Sequence, residues 1–162
     1  MGKMRKLDSF LKESHRVSSS GAFGVFRKPT KDFIFSNGVL VPAGTFMVTA
    51  PFASAFDEKN YLNPSEFDGF RFYRMREKEG ESLKHQMVTP ELTFVNFGLG
   101  SHACPGRFFA VNELKALVSH TLLNYDIKLD EKDNKLERND FSGHAIASRR
   151  VEILFRKRAA AL

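Results

Sequence analysis

Near the start of the chain, apolar residues recur at Met4, Leu7, Phe10, Leu11 and Val17. That is close to the i, i+3, i+4 spacing of one helical face, and it predicts a helix over residues 4–17. The helix should stop in the turn cluster Ser18-Ser19-Ser20-Gly21. Short strand-like pieces follow over residues 22–48, at 22–26, 32–35, 39–41 and 45–48. Ser36-Asn37-Gly38 is a hairpin signal between the second and third, because Asn-Gly suits the positive φ of tight turns. Pro42-Ala43-Gly44 is the next turn. Residues 49–92 read as a short helix at 50–56 and, over 73–92, a long polar loop. Residues 93–97 form a strand-like stretch leading into glycines, within a segment 93–106 that ends in a proline and a glycine.

The longest helix is predicted over residues 105–123, with Pro105 in its first turn and Phe108, Val111, Leu114, Leu117, Val118 and Leu122 as its stripe. Strands at 125–129 and 151–155 lie in the last segment, 125–157, with a polar loop between them. The pattern is an α+β single domain whose sheets are small.

Composition narrows the chemistry. The 162 residues can bury a core, and 42% apolar with 27% charged residues excludes wholesale disorder. The net charge of +6 suits a nucleic acid, an anionic surface or an acidic protein without choosing among them. The basic runs Arg149-Arg150 and Arg156-Lys157-Arg158 are separated by an apolar strand, the pattern of a solvated face. A small basic binding module is therefore the weakest reading, and no nucleic-acid partner is expected. One cysteine, Cys104, excludes an intramolecular disulfide framework and a four-cysteine zinc site. His15, His85, His120 and His144 have no ligand-like spacing to it. No apolar run is long enough to span a bilayer, and no apolar stretch follows the basic N-terminus as a secretory signal requires.

The sharpest feature is Phe97-Gly98-Leu99-Gly100-Ser101-His102-Ala103-Cys104-Pro105-Gly106. Glycines spaced by one residue let the backbone fold tightly against something flat. The cysteine comes just before a predicted helix, whose N–H groups and dipole favour a thiolate. Such a thiolate suits a metal ligand or a nucleophile; a lone cysteine is also often a small buried hydrophobe.

This loop resembles the cysteine loop of the cytochrome P450 family, Phe-x-x-Gly-x-x-x-Cys-x-Gly, with Phe97, Gly100, Cys104 and Gly106 at every fixed position. Pro105-Gly106-Arg107-Phe108-Phe109-Ala110 continues it in the style of fungal members. Glu13-Ser14-His15-Arg16 matches the family's Glu-x-x-Arg, whose i, i+3 spacing puts both charges on one helix face. Pro64-Ser65-Glu66-Phe67-Asp68-Gly69-Phe70-Arg71-Phe72 resembles the segment that supplies a further arginine, here Arg71.

The resemblance implies the C-terminal, proximal third of the P450 fold, mainly helical with small sheets. Cys104 would be the proximal thiolate ligand of the iron of haem b. Glu13, Arg16 and Arg71 would be structural. Arg27 and His102 would meet the haem propionates, and Phe97, Gly98 and Gly106 would shape the haem-binding loop. Residues 18–23 and 142–147 would be counterparts of substrate-pocket segments.

The implied reaction is oxidation of a small lipophilic substrate with O2, in fungal secondary metabolism. An NADPH-cytochrome reductase-type flavoprotein would supply electrons, docking at Arg107 and Lys115. A full-length relative would sit on the cytosolic face of the endoplasmic reticulum, whereas this chain by itself would be soluble and cytoplasmic. No segment resembles Ala/Gly-Gly-x-Asp/Glu-Thr, the family's distal proton-delivery motif. A truncated product is therefore expected. The alternative is a non-catalytic haem-binding chain.

Overall fold

Turn chemistry divides the first half of the molecule. In the computed structural model, which describes residues 2–18, 21–130, 139–141, 144–146 and 151–159, Asn37-Gly38 closes the hairpin between β2 (Phe33–Ile34) and β3 (Leu40–Val41), preceded by α1 (Arg5–Val17) and β1 (Gly24–Arg27). Gly38 takes φ +85°, and the Asn37 side-chain oxygen accepts the Val39 N–H at 3.2 Å. β1 pairs antiparallel with β4 (Met47–Thr49), with a register irregularity between Gly24 and Arg27. Val25 sits in that irregularity at φ +48°, a costly conformation for a β-branched residue.

The second half holds α2 (Pro51–Ala55), α3 (Arg71–Arg76) and the long α4 (Arg107–Asn124). β5 (Tyr125–Leu129) follows, then β6 (Asn139–Phe141), β7 (His144–Ile146) and β8 (Ile153–Lys157). β5 pairs with β8 and β6 with β7, so the described strands form four separate two-stranded antiparallel pairs.

Several boundaries differ from the sequence expectation. α4 begins at Arg107, with Pro105 and Gly106 left in the loop that approaches it. Residues 93–97 form no strand: Glu91 and Phe94 exchange two backbone hydrogen bonds as an isolated bridge, and Phe94 and Val95 are buried one by one. The expected loop over 73–92 overlaps α3, and the expected polar loop over 130–150 contains β6 and β7. β8 runs two residues beyond the predicted strand.

The larger correction concerns α1. Of the predicted stripe only Leu11 is buried; the rest of the face turned inward is Asp8, Ser9, Lys12, Glu13 and Arg16. Phe10 remains outside, edge-on to Phe67 at 5.5 Å. Burying a phenylalanine gains about 1.5–3 kcal/mol, whereas an unpaired buried charge costs several kcal/mol. The charged face is tolerated inside because every charge on it has a partner. Asp8 meets Lys115 of α4, Arg76 of α3 and the Met87 N–H. Lys12 meets Glu91, and Glu13 meets both Arg16 and Arg71.

A small apolar cluster of Leu11, Met87 and Val111 fills the space between α1 and α4, with Leu7, Val88, Phe97 and Val118 against it. Of the stripe predicted on α4, only Val111 is fully buried; Phe108, Leu114, Leu117 and Leu122 are exposed.

Glu13 and Arg16 are both fully buried, and Arg16 holds the carboxylate through Nε and Nη2, each at 2.8 Å. Arg16 Nη1 also donates to Ala55 O at 2.6 Å, and Arg71 Nε reaches both Glu13 oxygens at 3.2 Å. Burial pushes the Glu13 carboxyl up, but the Arg16 hydrogen bond, the Asp68 N–H and the charges of Arg16 and Arg71 outweigh it and hold it below the ordinary glutamate value.

Arg16→Ala strips the carboxylate of two of its charged contacts and should cost about 3–5 kcal/mol, read as a fall in the denaturation midpoint; an unchanged midpoint would show that the pair is worth no more than a surface bridge. Because the folded carboxyl titrates lower than the unfolded one, its contribution is complete above the ordinary value of about 4.3 and is lost as pH falls through the lower folded value. Denaturation midpoints measured at decreasing pH should fall in that acid window, and less steeply in Glu13→Gln.

Candidate functional site

Between the buried helix α1 and the start of α4, the chain makes a tight hoop. Gly98 takes φ +76°, and its N–H donates to Val95 O at 2.7 Å. A short 3-10 turn over Gly100–His102 follows, with the Ala103 N–H on Gly100 O at 3.1 Å. The Cys104 N–H then returns to Phe97 O at 2.7 Å, so the cysteine closes the hoop next to the phenylalanine that opened it. A Cβ on Gly98 would stand 3.2 Å from His102 O and 3.4 Å from Ala103 Cα. Glycine at 98 therefore answers both a positive φ and a close backbone approach.

Cys104 is half-buried and lines a hollow of about 380 Å³ with Val25, Phe26, Arg27, Phe97, Gly98 and His102. The structure thus brings Cys104, Arg27, His102, Phe97 and Gly98 to one place. Gly106 lies just outside, capping the N-terminus of α4. Arg27 is tied to the hoop: Nη2 donates to Leu99 O at 3.0 Å and Nη1 to Phe26 O at 2.8 Å. His102 is exposed on the 3-10 turn. Glu13, Arg16 and Arg71 form the separate buried ionic group behind the site.

The hoop is held from behind as well. The His15 ring stands edge-on to Phe94 and Phe97, at 5.8 and 5.5 Å, and burial pushes its imidazole below the ordinary value. Asn96 donates to His15 O at 2.9 Å. Arg107 bridges Val88 O at 3.1 Å and Cys104 O at 2.9 Å, with its guanidinium over the Phe108 ring.

Lys115 is not a docking contact. It is 7% exposed and its ammonium is engaged by Asp8. Arg107 is half-buried, and two backbone carbonyls hold its guanidinium. Of the segments expected to line a substrate pocket, residues 19, 20, 142, 143 and 147 lie outside the described residues.

The residues suit a thiolate-ligated haem. One thiol faces the hollow, Val25, Phe26 and Phe97 supply apolar walls, and a guanidinium and an imidazole stand beside them for carboxylates. At the level of the whole chain, the profile of the cytochrome P450 family matches residues 1–155. The chain belongs to the cytochrome P450 family. Cytochrome P450 monooxygenase 103 of Postia placenta is 46% identical over 157 residues, covering 97% of this chain and 31% of that protein. Cytochrome P450 monooxygenase atmQ of Aspergillus flavus is 45% identical over 125 residues, covering 77% and 24%.

Among solved structures, the retinoic acid bound cyanobacterial CYP120A1 matches with a TM-score of 0.74 at 25% identity, over 96% of this chain and 34% of that one. The heme domain of cytochrome P450DA matches in fold with a TM-score of 0.72 at 20% identity, over 94% and 31%. The P450 chain described here spans about a third of the length of these relatives. No helix among the described residues is long and apolar enough to cross a membrane.

Sequence reading assigned no role to Val25, Phe26, His15, Lys12 or Glu91. The available signal was position: His15 lies inside Glu13-Ser14-His15-Arg16, and Val25 and Phe26 adjoin Arg27.

Gly98→Ala places a Cβ in a left-handed conformation that costs about 1–2 kcal/mol for an L residue. It should lower the melting temperature and loosen the hoop, read as weaker retention of added haem on gel filtration. A variant with unchanged melting and retention would show that the hoop tolerates a side chain at 98.

Proposed function

We propose that this chain is the haem-binding, C-terminal third of a P450 monooxygenase, with Cys104 as the thiolate ligand of haem b. The observation that carries the reading is the convergence of Cys104, Arg27, His102 and Phe97 on one hollow, backed by the buried ionic group on α1. When bound, thiolate-ligated haem supplies an iron whose ligand pushes electron density forward and favours O–O cleavage.

The chain's own residues hold and orient. The Phe97 carbonyl fixes the Cys104 backbone, and the Gly98 turn sets the direction from which the thiol faces the hollow. Arg27 spends one N–H of each terminal nitrogen on backbone carbonyls, which leaves further donors of its five for a propionate. His102 supplies a second donor from the 3-10 turn. Phe97, Phe26 and Val25 line the thiol side of the hollow with apolar surface.

Substrate and partners follow from the same reading. The substrate is a small lipophilic molecule of fungal secondary metabolism, and the electron donor is an NADPH-cytochrome reductase-type flavoprotein, on the cytosolic face of the endoplasmic reticulum. The acid–alcohol pair for proton delivery would come from a longer protein, since these 162 residues contain no such motif.

Haem-reconstituted protein, reduced under carbon monoxide, should show the red-shifted Soret band of thiolate ligation, and Cys104→Ser should abolish it. The same band in Cys104→Ser, or imidazole-type ligation in the parent, would overturn the assignment.

A further inference from the structure

Lys12 is fully buried, yet neither the ionic group of Glu13, Arg16 and Arg71 nor the haem reading uses it. Its ammonium meets Glu91 Oε1 at 2.8 Å and lies over the rings of Phe72 and Phe94, at 4.4 and 4.7 Å from their centroids. It therefore touches α3 through Phe72 and, through Glu91 and Phe94, the segment that enters the cysteine hoop. Glu91 and Phe94 are themselves joined by two backbone hydrogen bonds. Three residues after Phe94 comes Phe97, whose carbonyl holds the Cys104 N–H.

We propose that Lys12 and Glu91 are positioning residues for Cys104: a second ionic latch, separate from Glu13, Arg16 and Arg71, that clamps residues 91–97 onto α1 and so fixes the cysteine hoop. This inference rests on the haem-thiolate reading for its catalytic meaning, though not for the latch itself.

The energetics require a latch rather than a passive contact. A buried ammonium without its counter-charge is strongly unfavourable, so Lys12 and Glu91 must stay together for the segment to dock. Burial pushes Lys12 below its ordinary value, and Glu91 works against that shift. Two aromatic faces add cation–π attraction, which is largest where water is excluded. Glu91 is also faced by the Nδ1 of His85, whose Nε2 meets Glu81, so the carboxylate is held from both sides. Among the described residues, no side-chain ion pair holds residues 92–106.

The test uses hydrogen–deuterium exchange on the 162-residue chain with Lys12→Met, Glu91→Gln and the double variant. Exchange of peptides covering residues 94–104 should rise at least about tenfold in each single variant, while peptides of the β5 and β8 pair stay within about twofold. The double variant should be no worse than the poorer single one, because the two changes break one interaction. A uniform rise across the chain, no rise at 94–104, or additive effects would overturn the latch. Glu91→Gln keeps shape and serves if Lys12→Met gives no soluble protein; failure of both to fold would also overturn a local role.

A second readout is the thiolate band of the reduced, carbonyl-bound haem form, which should fall in the same variants. If the parent chain lacks that band, the haem reading fails and exchange alone judges the latch. If the parent shows it and the variants retain it in full, the positioning role fails.

Discussion

Four ionised side chains on one face of α1, Asp8, Lys12, Glu13 and Arg16, are buried, and the rest of the structure is arranged so that none of them is left without a counter-charge. Desolvating each ion costs several kcal/mol, and good geometry repays that only where both partners are held in place. The partners come from distant parts of the chain: Arg71 and Arg76 on α3, Glu91 beyond it, and Lys115 on α4. Pairing α1 therefore draws α3, α4 and the approach to the cysteine into one arrangement. A helix of ordinary amphipathicity would pack with more freedom, because apolar contacts are not directional.

The cysteine hoop inherits its position from that arrangement. Its entry is docked on α1 through Asn96 and the ring contacts of His15, and its exit is stitched to Val88 through Arg107. Within the hoop, two left-handed glycines, Gly98 and Gly100, and three backbone hydrogen bonds leave Cys104 facing a hollow shared with Arg27 and His102. A ligand for a planar cofactor must be held within a fraction of an ångström, and such precision comes from supporting contacts rather than from the ligand residue itself.

Sequence and structure agree where the chemistry is local. The hairpin at Asn37-Gly38 and the glycine-rich approach to Cys104 are legible because φ preference is a property of the residue itself. The pairing of Glu13 with Arg16 is legible because both lie within one helical turn. Hydrophobic periodicity misled on α1, where it pointed to Phe10 and away from Asp8 and Lys12, because ion pairs across long separations decide which face is buried. Asp8 and Lys115 meet across α1 and α4, and nothing local marks that meeting. The same cause made Lys115 read as a solvated docking charge. Residues 93–97 look like a strand by composition, but among the described residues no neighbouring strand offers them a ladder, so they dock side chain by side chain.

Iron K-edge X-ray absorption of the haem-loaded chain reads the proposed bond between Cys104 and iron directly. The first coordination shell should contain one sulfur beside the porphyrin nitrogens, and Cys104→Ser should remove it. A shell of nitrogen and oxygen alone in the parent protein would show that Cys104 is not the iron ligand.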